Sequence, residues 1–205
     1  MTGGLFITFE GGEGAGKSTQ IARLADRLKP SDREIVTTRE PGGSPGAEAV
    51  RALLVTGAAD RWSAPAEALL MSAARIDHVE RVIVPALARG AIVLCDRFAD
   101  STRAYQGSEA NGALIGALET EVKAHCWPDL TLIFDLDPAL GLERARARAG
   151  GETRFEAKGL AFHQALRARF LAIAAADPAR CRVIDASGDA DTVEGAVRRA
   201  VEDQL

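Results

Sequence analysis

The chain has 205 residues, 47% of them hydrophobic and 26% charged, enough to bury one good-sized core and too apolar for a disordered tail. Its 25 Lys and Arg against 29 Asp and Glu give a net charge of -4, which argues against a general nucleic-acid or membrane-surface binder. Cys95, Cys126 and Cys181 are widely spaced and form no C-x-x-C pair, so neither a disulfide framework nor a zinc site is indicated and a reducing compartment fits. The opening MTGGLFITFEGG has no basic segment or long apolar run, and no stretch approaches the ~18 apolar residues of a membrane span. A soluble, cytoplasmic protein with no membrane or nucleic-acid partner is expected.

The first predicted element is a strand at Leu5–Gly11. It runs into G-x-x-x-x-G-K-S: Gly11, then Gly12, Glu13, Gly14 and Ala15, then Gly16, Lys17 and Ser18. The motif follows a strand and opens a helix that includes IARLADRL, the context that a phosphate-binding P-loop requires. Glycines let successive N–H groups turn toward phosphate oxygens, the helix N-terminus adds partial positive charge, Lys17 reaches the terminal phosphates and Ser18 can ligate magnesium. ATP is expected over Gly11–Thr19, including Thr19 itself.

A second strand, residues 33–40, ends in TREPGG and brings Arg39 to the same end of the sheet. The stretch 66–90 then carries apolar residues at helical spacing and leads to a third strand at residues 91–97, ending in Asp96 and Arg97. A short apolar run ending in Asp, beside a P-loop, is the pattern of a magnesium-associated aspartate. Arg39 and Arg97 are suited to bidentate phosphate contact in a crevice at the strand ends, or to ion pairs with Glu40 or Asp96. The first reading implies an acidic acceptor, itself a phosphate ester.

A fourth strand, residues 130–137, precedes an arginine cluster. Arg144 and Arg148 share a helix face, Arg146 lies opposite, and Gly150-Gly151 breaks the chain before Arg154. Such a run serves as a solvated face or as a mobile segment that supplies a cation, and residues 12–15 hold no arginine. Arg148 and Arg154 are the candidates for that cation. The fifth strand is CRVIDAS, 181–187. His78, His125 and His163 stand without ligand partners and read as surface or helix-packing residues, Cys95 as packing, and Trp62 and Trp127 as anchors.

Strand alternating with helix gives an α/β protein with a five-stranded parallel sheet flanked by helices. The expectation is a single-domain P-loop NTPase fold over 1–205, with a small arginine-rich lid at 144–156. GTPase signals are missing: Asp96 leads into Arg97-Phe98-Ala99, and no Asn-Lys pair occurs. The chain is short for a motor, so a small-molecule kinase is favoured. A regulatory nucleotide-binding module and a kinase for another monophosphate are the alternatives.

FEGGEGAGKSTQ, TREPGG, MSAAR, DRFADSTRAYQG and RARARAGGETRFE, in that order and spacing, resemble the bacterial thymidylate kinases from residue 5 to about 175. The resemblance implies phosphoryl transfer from Mg2+-ATP to dTMP. It implies that Glu13 lies near the monophosphate, that Arg39 and Arg97 hold its phosphate, and that Arg75 meets the thymine carbonyl. Thr102 and Gln106 would line the base and sugar, and Tyr105 would fill the space of a ribose 2′-hydroxyl. It also implies that Arg144 flanks adenine and that Arg148 is the lid arginine supplied to the phosphates; Lys17, Arg97 and Arg148 are then the expected catalytic cations, with Ser18 and Asp96 the magnesium residues expected from the motifs above. A homodimer through helices around 65–88 and 101–124 is implied as well. Where the family commonly has phenylalanine to stack on thymine, this chain has Met71, a thioether able to pack on a ring or simply a core residue.

Overall fold

The computed structural model describes residues 3–58, 60–147, 153–156 and 158–205. One sheet holds β1 (Leu5–Gly11), β2 (Ile35–Arg39), β3 (Ile92–Asp96), β4 (Leu130–Asp135) and β5 (Cys181–Asp185). All neighbours are parallel, in the order β2-β3-β1-β4-β5. The helices are α1 (Lys17–Leu28), α2 (Pro45–Val55), α3 (Ala64–His78), α4 (Val84–Ala88), α5 (Ala99–Gln106), α6 (Gly112–His125), α7 (Pro138–Arg146), α8 (Thr153–Glu156), α9 (Leu160–Ala176) and α10 (Ala190–Glu202). Each strand lies at or just inside its expected limits.

β1 is central, so both faces are covered and its whole length is buried. Leu5, Ile7 and Phe9 point one way, onto Ile21, Leu24 and Leu28 of α1 and Val193, Val197 and Val201 of α10. Phe6 points the other way, with Val93 and Cys95, onto Val79, Ile83 and Phe98. The strand's two-residue period also turns Glu10 to the Phe6 side, beneath the start of α5.

The stretch 66–90 is not one regular helix. α3 passes through a π-helical turn, Val79–Ile83, into α4, and the Val84 N–H reaches back to Val79 O. Pro85 explains the change: it has no N–H to give and its ring crowds the carbonyl four residues earlier, so the ladder widens by one residue there. Serine or aspartate caps followed by proline start three helices, at Ser44-Pro45, Ser63-Ala64-Pro65 and Asp137-Pro138. α2 and α3 thereby form a wall beside the carboxyl ends of β2 and β3. Of the expected lid, 144–156, the ends lie in α7 and α8; Arg148 lies outside the described residues.

Candidate active site

At the carboxyl end of β1 the backbone turns back on itself through Gly11 (φ 130°), Gly14 (φ 68°) and Gly16 (φ 84°) before α1 begins at Lys17. These are left-handed conformations that a side chain resists. Space is restrictive too: a Cβ on Gly11 would lie 2.5 Å from Phe134 O, and one on Gly14 would collide with Gly141 O. The bare loop is therefore required by φ and by close packing on β4 and α7. Lys17 curls over it, donating from Nζ to Gly12 O at 2.8 Å and Gly11 O at 3.2 Å. Burial, and then the positive charge of Arg97, pull its pKa down to about 8.

β3 lies beside β1 in register, Phe9 opposite Asp96, which carries Asp96 to the first turn of α1. Ser18 Oγ donates to Asp96 Oδ2 at 2.7 Å. Among the described residues no cluster of three or more His, Cys, Asp or Glu side chains could hold a metal ion. Ser18 and Asp96 offer two hard oxygens of the kind that could hold magnesium together with phosphates and water.

The next residue, Arg97, is the non-glycine residue with positive φ among those described, at 69°. Its guanidinium is folded inward: Nη1 donates to Gly11 O at 3.0 Å and Ser101 Oγ at 3.3 Å, and Nη2 to Glu13 Oε1 at 2.9 Å. Tyr105 stacks under the guanidinium at 5.2 Å and gives its hydroxyl to the same Glu13 oxygen at 2.8 Å. Burial opposes ionisation of Glu13, but Arg97, Lys17 and the Tyr105 hydroxyl outweigh it and hold the carboxyl down at about 2. P-loop, Arg97 and Tyr105 are thus joined through Glu13.

The facing wall comes from α3. Glu67, Met71 and Arg75 recur every fourth residue and so share one side of the helix. Arg75 is buried: Nε donates to Glu40 Oε2 at 2.6 Å, and Nη2 to Phe98 O at 3.0 Å and Thr102 Oγ1 at 3.1 Å. Gln106 Nε2 donates to Glu67 Oε1 at 2.7 Å. Thr102 and Gln106, expected to line base and sugar, here brace Arg75 and Glu67. Met71 is half-buried. Arg39 is half-exposed and paired with Glu48 of α2 at 3.0 Å, neither Glu40 nor Asp96 being its partner.

Sequence reasoning missed three residues of this wall and one beneath it. His78, read as a surface or packing residue, is fully buried, with Nδ1 3.0 Å from Glu40 Oε1 and Nε2 2.7 Å from Thr38 Oγ1. Its signal was available: it lies three residues after Arg75, on the same helix side. Glu40 was weighed as a partner for Arg39 and instead serves Arg75. Glu67 carried no motif, and neither did Glu10, which accepts from Phe98 N at 2.7 Å, Ser101 N at 3.2 Å and Ser101 Oγ at 2.6 Å.

On the other side of the P-loop a cavity of about 310 Å³ is lined by Gly14, Gly16, Thr19, Gln20, Arg144 and Ala190, among others. Arg144 closes it by donating to Ala186 O at 3.0 Å and Ser187 O at 3.2 Å. Arg154, a candidate second cation, is instead buried against Glu67 at 2.5 Å.

A family profile described as thymidylate kinase matches residues 9–197. The thymidylate kinase of Caulobacter vibrioides is 63% identical over 207 aligned residues, spanning 100% of this chain and 99% of that protein. That of Bradyrhizobium diazoefficiens is 55% identical, over 98% of this chain and 90% of that protein. A crystal structure of thymidylate kinase from Ehrlichia chaffeensis shares the fold with a TM-score of 0.78 at 33% identity, covering 97% of this chain and 99% of the other. These matches span nearly the whole chain, so it belongs to the thymidylate kinase family of ATP-dependent nucleotide phosphotransferases.

Proposed function

We propose that the chain transfers the γ-phosphoryl group of ATP to dTMP, giving dTDP and ADP, and so serves dTTP synthesis. The observation that carries this reading is the junction at Glu13, where the P-loop meets Arg97 and Tyr105 from the acceptor side. ATP phosphates lie along the turn from Gly11 to Thr19, with the adenine side toward Arg144. Lys17 exchanges its carbonyl contacts for the terminal phosphates, whose negative charge keeps it protonated. Arg97 and Arg39 take the dTMP phosphate, Arg75 the thymine carbonyl, and Met71 the thymine face. Tyr105 occupies the position of a 2′-hydroxyl, which favours deoxyribose.

An oxygen of the dTMP phosphate forms the new bond to the γ-phosphorus as the bond to the β,γ-bridging oxygen breaks, and ADP leaves. That oxygen is already ionised at neutral pH, so no general base is assigned. Lys17, Arg97 and Arg148 supply positive charge to the phosphoryl group in flight. Ser18 and Asp96 would hold magnesium, which when bound would supply positive charge against the phosphates of ATP.

A homodimer packed through helices around 65–88 and 101–124 fits the exposure of Leu69 at 50% and Val84 at 36%. A cytoplasmic location fits three free cysteines. The test of the reaction is ADP release with Mg-ATP against dTMP, dUMP, dCMP, AMP and GMP. Turnover concentrated on dTMP, with dUMP slower, is expected; preference for another monophosphate would overturn the substrate, and no turnover at all would overturn the activity.

A further inference from the structure

The short helix after the arginine-rich segment is fastened to the acceptor wall. Arg154 of α8 is 3% exposed. Its Nη1 forms an ion pair with Glu67 Oε2 of α3 at 2.5 Å and donates to Leu54 O at 3.0 Å, and its Nε donates to Ala58 O at 3.1 Å. It therefore closes the C-terminal end of α2 while holding α3. The other Glu67 oxygen accepts from Gln106. The neighbouring residue, Phe155, stands edge-on to Tyr105, with centroids 5.5 Å apart and planes at 86°, and Tyr105 in turn holds Glu13.

Two connections thus run from α8 into the acceptor side and end on adjacent residues of α5, one through Glu67 to Gln106 and one through Phe155 to Tyr105. Stability is a poor reason for the first. A buried ion pair gains little over well-packed apolar side chains, because both charges must be desolvated, whereas removing one partner strands the other charge. What such a pair does well is to fix one arrangement of the elements that carry it.

We propose that Glu67 is a positioning residue of the acceptor pocket and that Arg154 is its fixed counter-ion, serving dTMP binding and not the transferring phosphoryl group. The inference rests on the dTMP reading. It separates two arginines of one segment by role: Arg154 sets the acceptor wall, and Arg148 retains the phosphoryl side.

The test is steady-state kinetics of the full chain carrying Arg154→Met, with folding checked by circular dichroism and dTMP affinity measured by calorimetry without ATP. The expected result is a dTMP KM and Kd raised roughly 10-fold, with kcat and the ATP KM within roughly threefold. The double variant Glu67→Gln with Arg154→Met removes both charges of the Glu67–Arg154 pair and keeps an acceptor for Gln106, so it should recover most of the lost dTMP affinity. A purely structural pair would lower Tm without this split. A kcat lowered 10-fold or more at unchanged dTMP KM would place Arg154 at the phosphoryl group and overturn the proposal, as would no change in either constant. If Arg154→Met fails to fold, Arg154→Lys keeps the charge but loses the planar fork and should show the same split more weakly; an unchanged dTMP KM in that variant also overturns it. Failure of the unaltered protein to turn over dTMP would instead remove the reading of function, and this inference with it.

Discussion

Arg75 and His78, one turn apart on α3, hold opposite oxygens of a single buried carboxylate, Glu40, at 2.6 Å and 3.0 Å. His78 also reaches Thr38 on β2, so the ring fixes the carboxylate against the sheet and the carboxylate fixes the guanidinium. Arg75 Nη1 is the guanidinium nitrogen left without a hydrogen bond among the described residues. His78→Ala should let Glu40 and Arg75 turn together, raising the dTMP KM roughly 10-fold while kcat stays within roughly threefold. Initial rates at saturating ATP check this. An unchanged KM would separate His78 from the placement of Arg75.

Lys17 gives a pH signature. Its pKa is lowered to about 8 by burial and by Arg97, so the free protein loses the loop's ammonium charge as pH rises through that value. kcat/KM for ATP reports groups of the free enzyme, and it should fall on the order of tenfold per pH unit above that point. Lys17→Arg keeps its charge throughout and should abolish this limb even where its absolute rate is lower. A limb that persists in Lys17→Arg belongs to another group.

The parts legible in the sequence were those written in local runs. Strands such as AIVLCD are short, apolar and bounded, so their number and parallel arrangement follow, and the P-loop announces both Lys17 and Ser18. The buried pairs are different. Glu40 with Arg75 and His78, Glu67 with Gln106 and Arg154, and Glu10 with Ser101 join residues 35 to 91 positions apart, and one sequence does not say which distant polar residues meet. The π-helical turn was missed because apolar spacing alone does not register one widened step, although Pro85 marked where it falls. Arg154 read as a lid cation because its position in an arginine-rich run says nothing about Glu67.

Glu10 predicts a stability change with the opposite sign to an ordinary paired carboxylate. Burial first, and then the charge of Asp100, raise its pKa from 4.5 to about 7 in the folded chain, against the lowering influence of Ser101, Arg97 and the Phe98 N–H. Asp100 is itself paired with Arg180 at 2.6 Å. Between its unfolded and folded values Glu10 is more protonated in the folded chain, so its own contribution to stability is greatest below about pH 4.5 and declines as pH rises toward 7, then levels off. Glu13 acts in a separate window and with the opposite sign, its stabilisation lost progressively as pH falls from about 4.5 to about 2. Urea unfolding from pH 4.5 to 7.5 should show Glu10→Gln gaining on the unaltered chain by a few kcal/mol across this range. Parallel pH curves for the two proteins would mean that Glu10 stays ionised in the fold.

Arg148 carries the last prediction. Residues 12–15 of the P-loop include no arginine, Arg144 is committed to the Ala186 and Ser187 carbonyls, and Arg154 to Glu67. A phosphoryl group in flight between two anionic substrates is stabilised by positive charge beyond that of Lys17 and Arg97, and a cation that acts only on that transition state appears in kcat and not in ground-state binding. Arg148→Ala should therefore lower kcat by ~10-fold or more, with dTMP affinity measured by calorimetry unchanged. Arg148→Lys, which keeps charge but not the bidentate fork, should fall between the two. If kcat is unaffected by Arg148→Ala, Lys17 and Arg97 must carry the transfer without it, and the charge argument from the arginine-free P-loop loses its force.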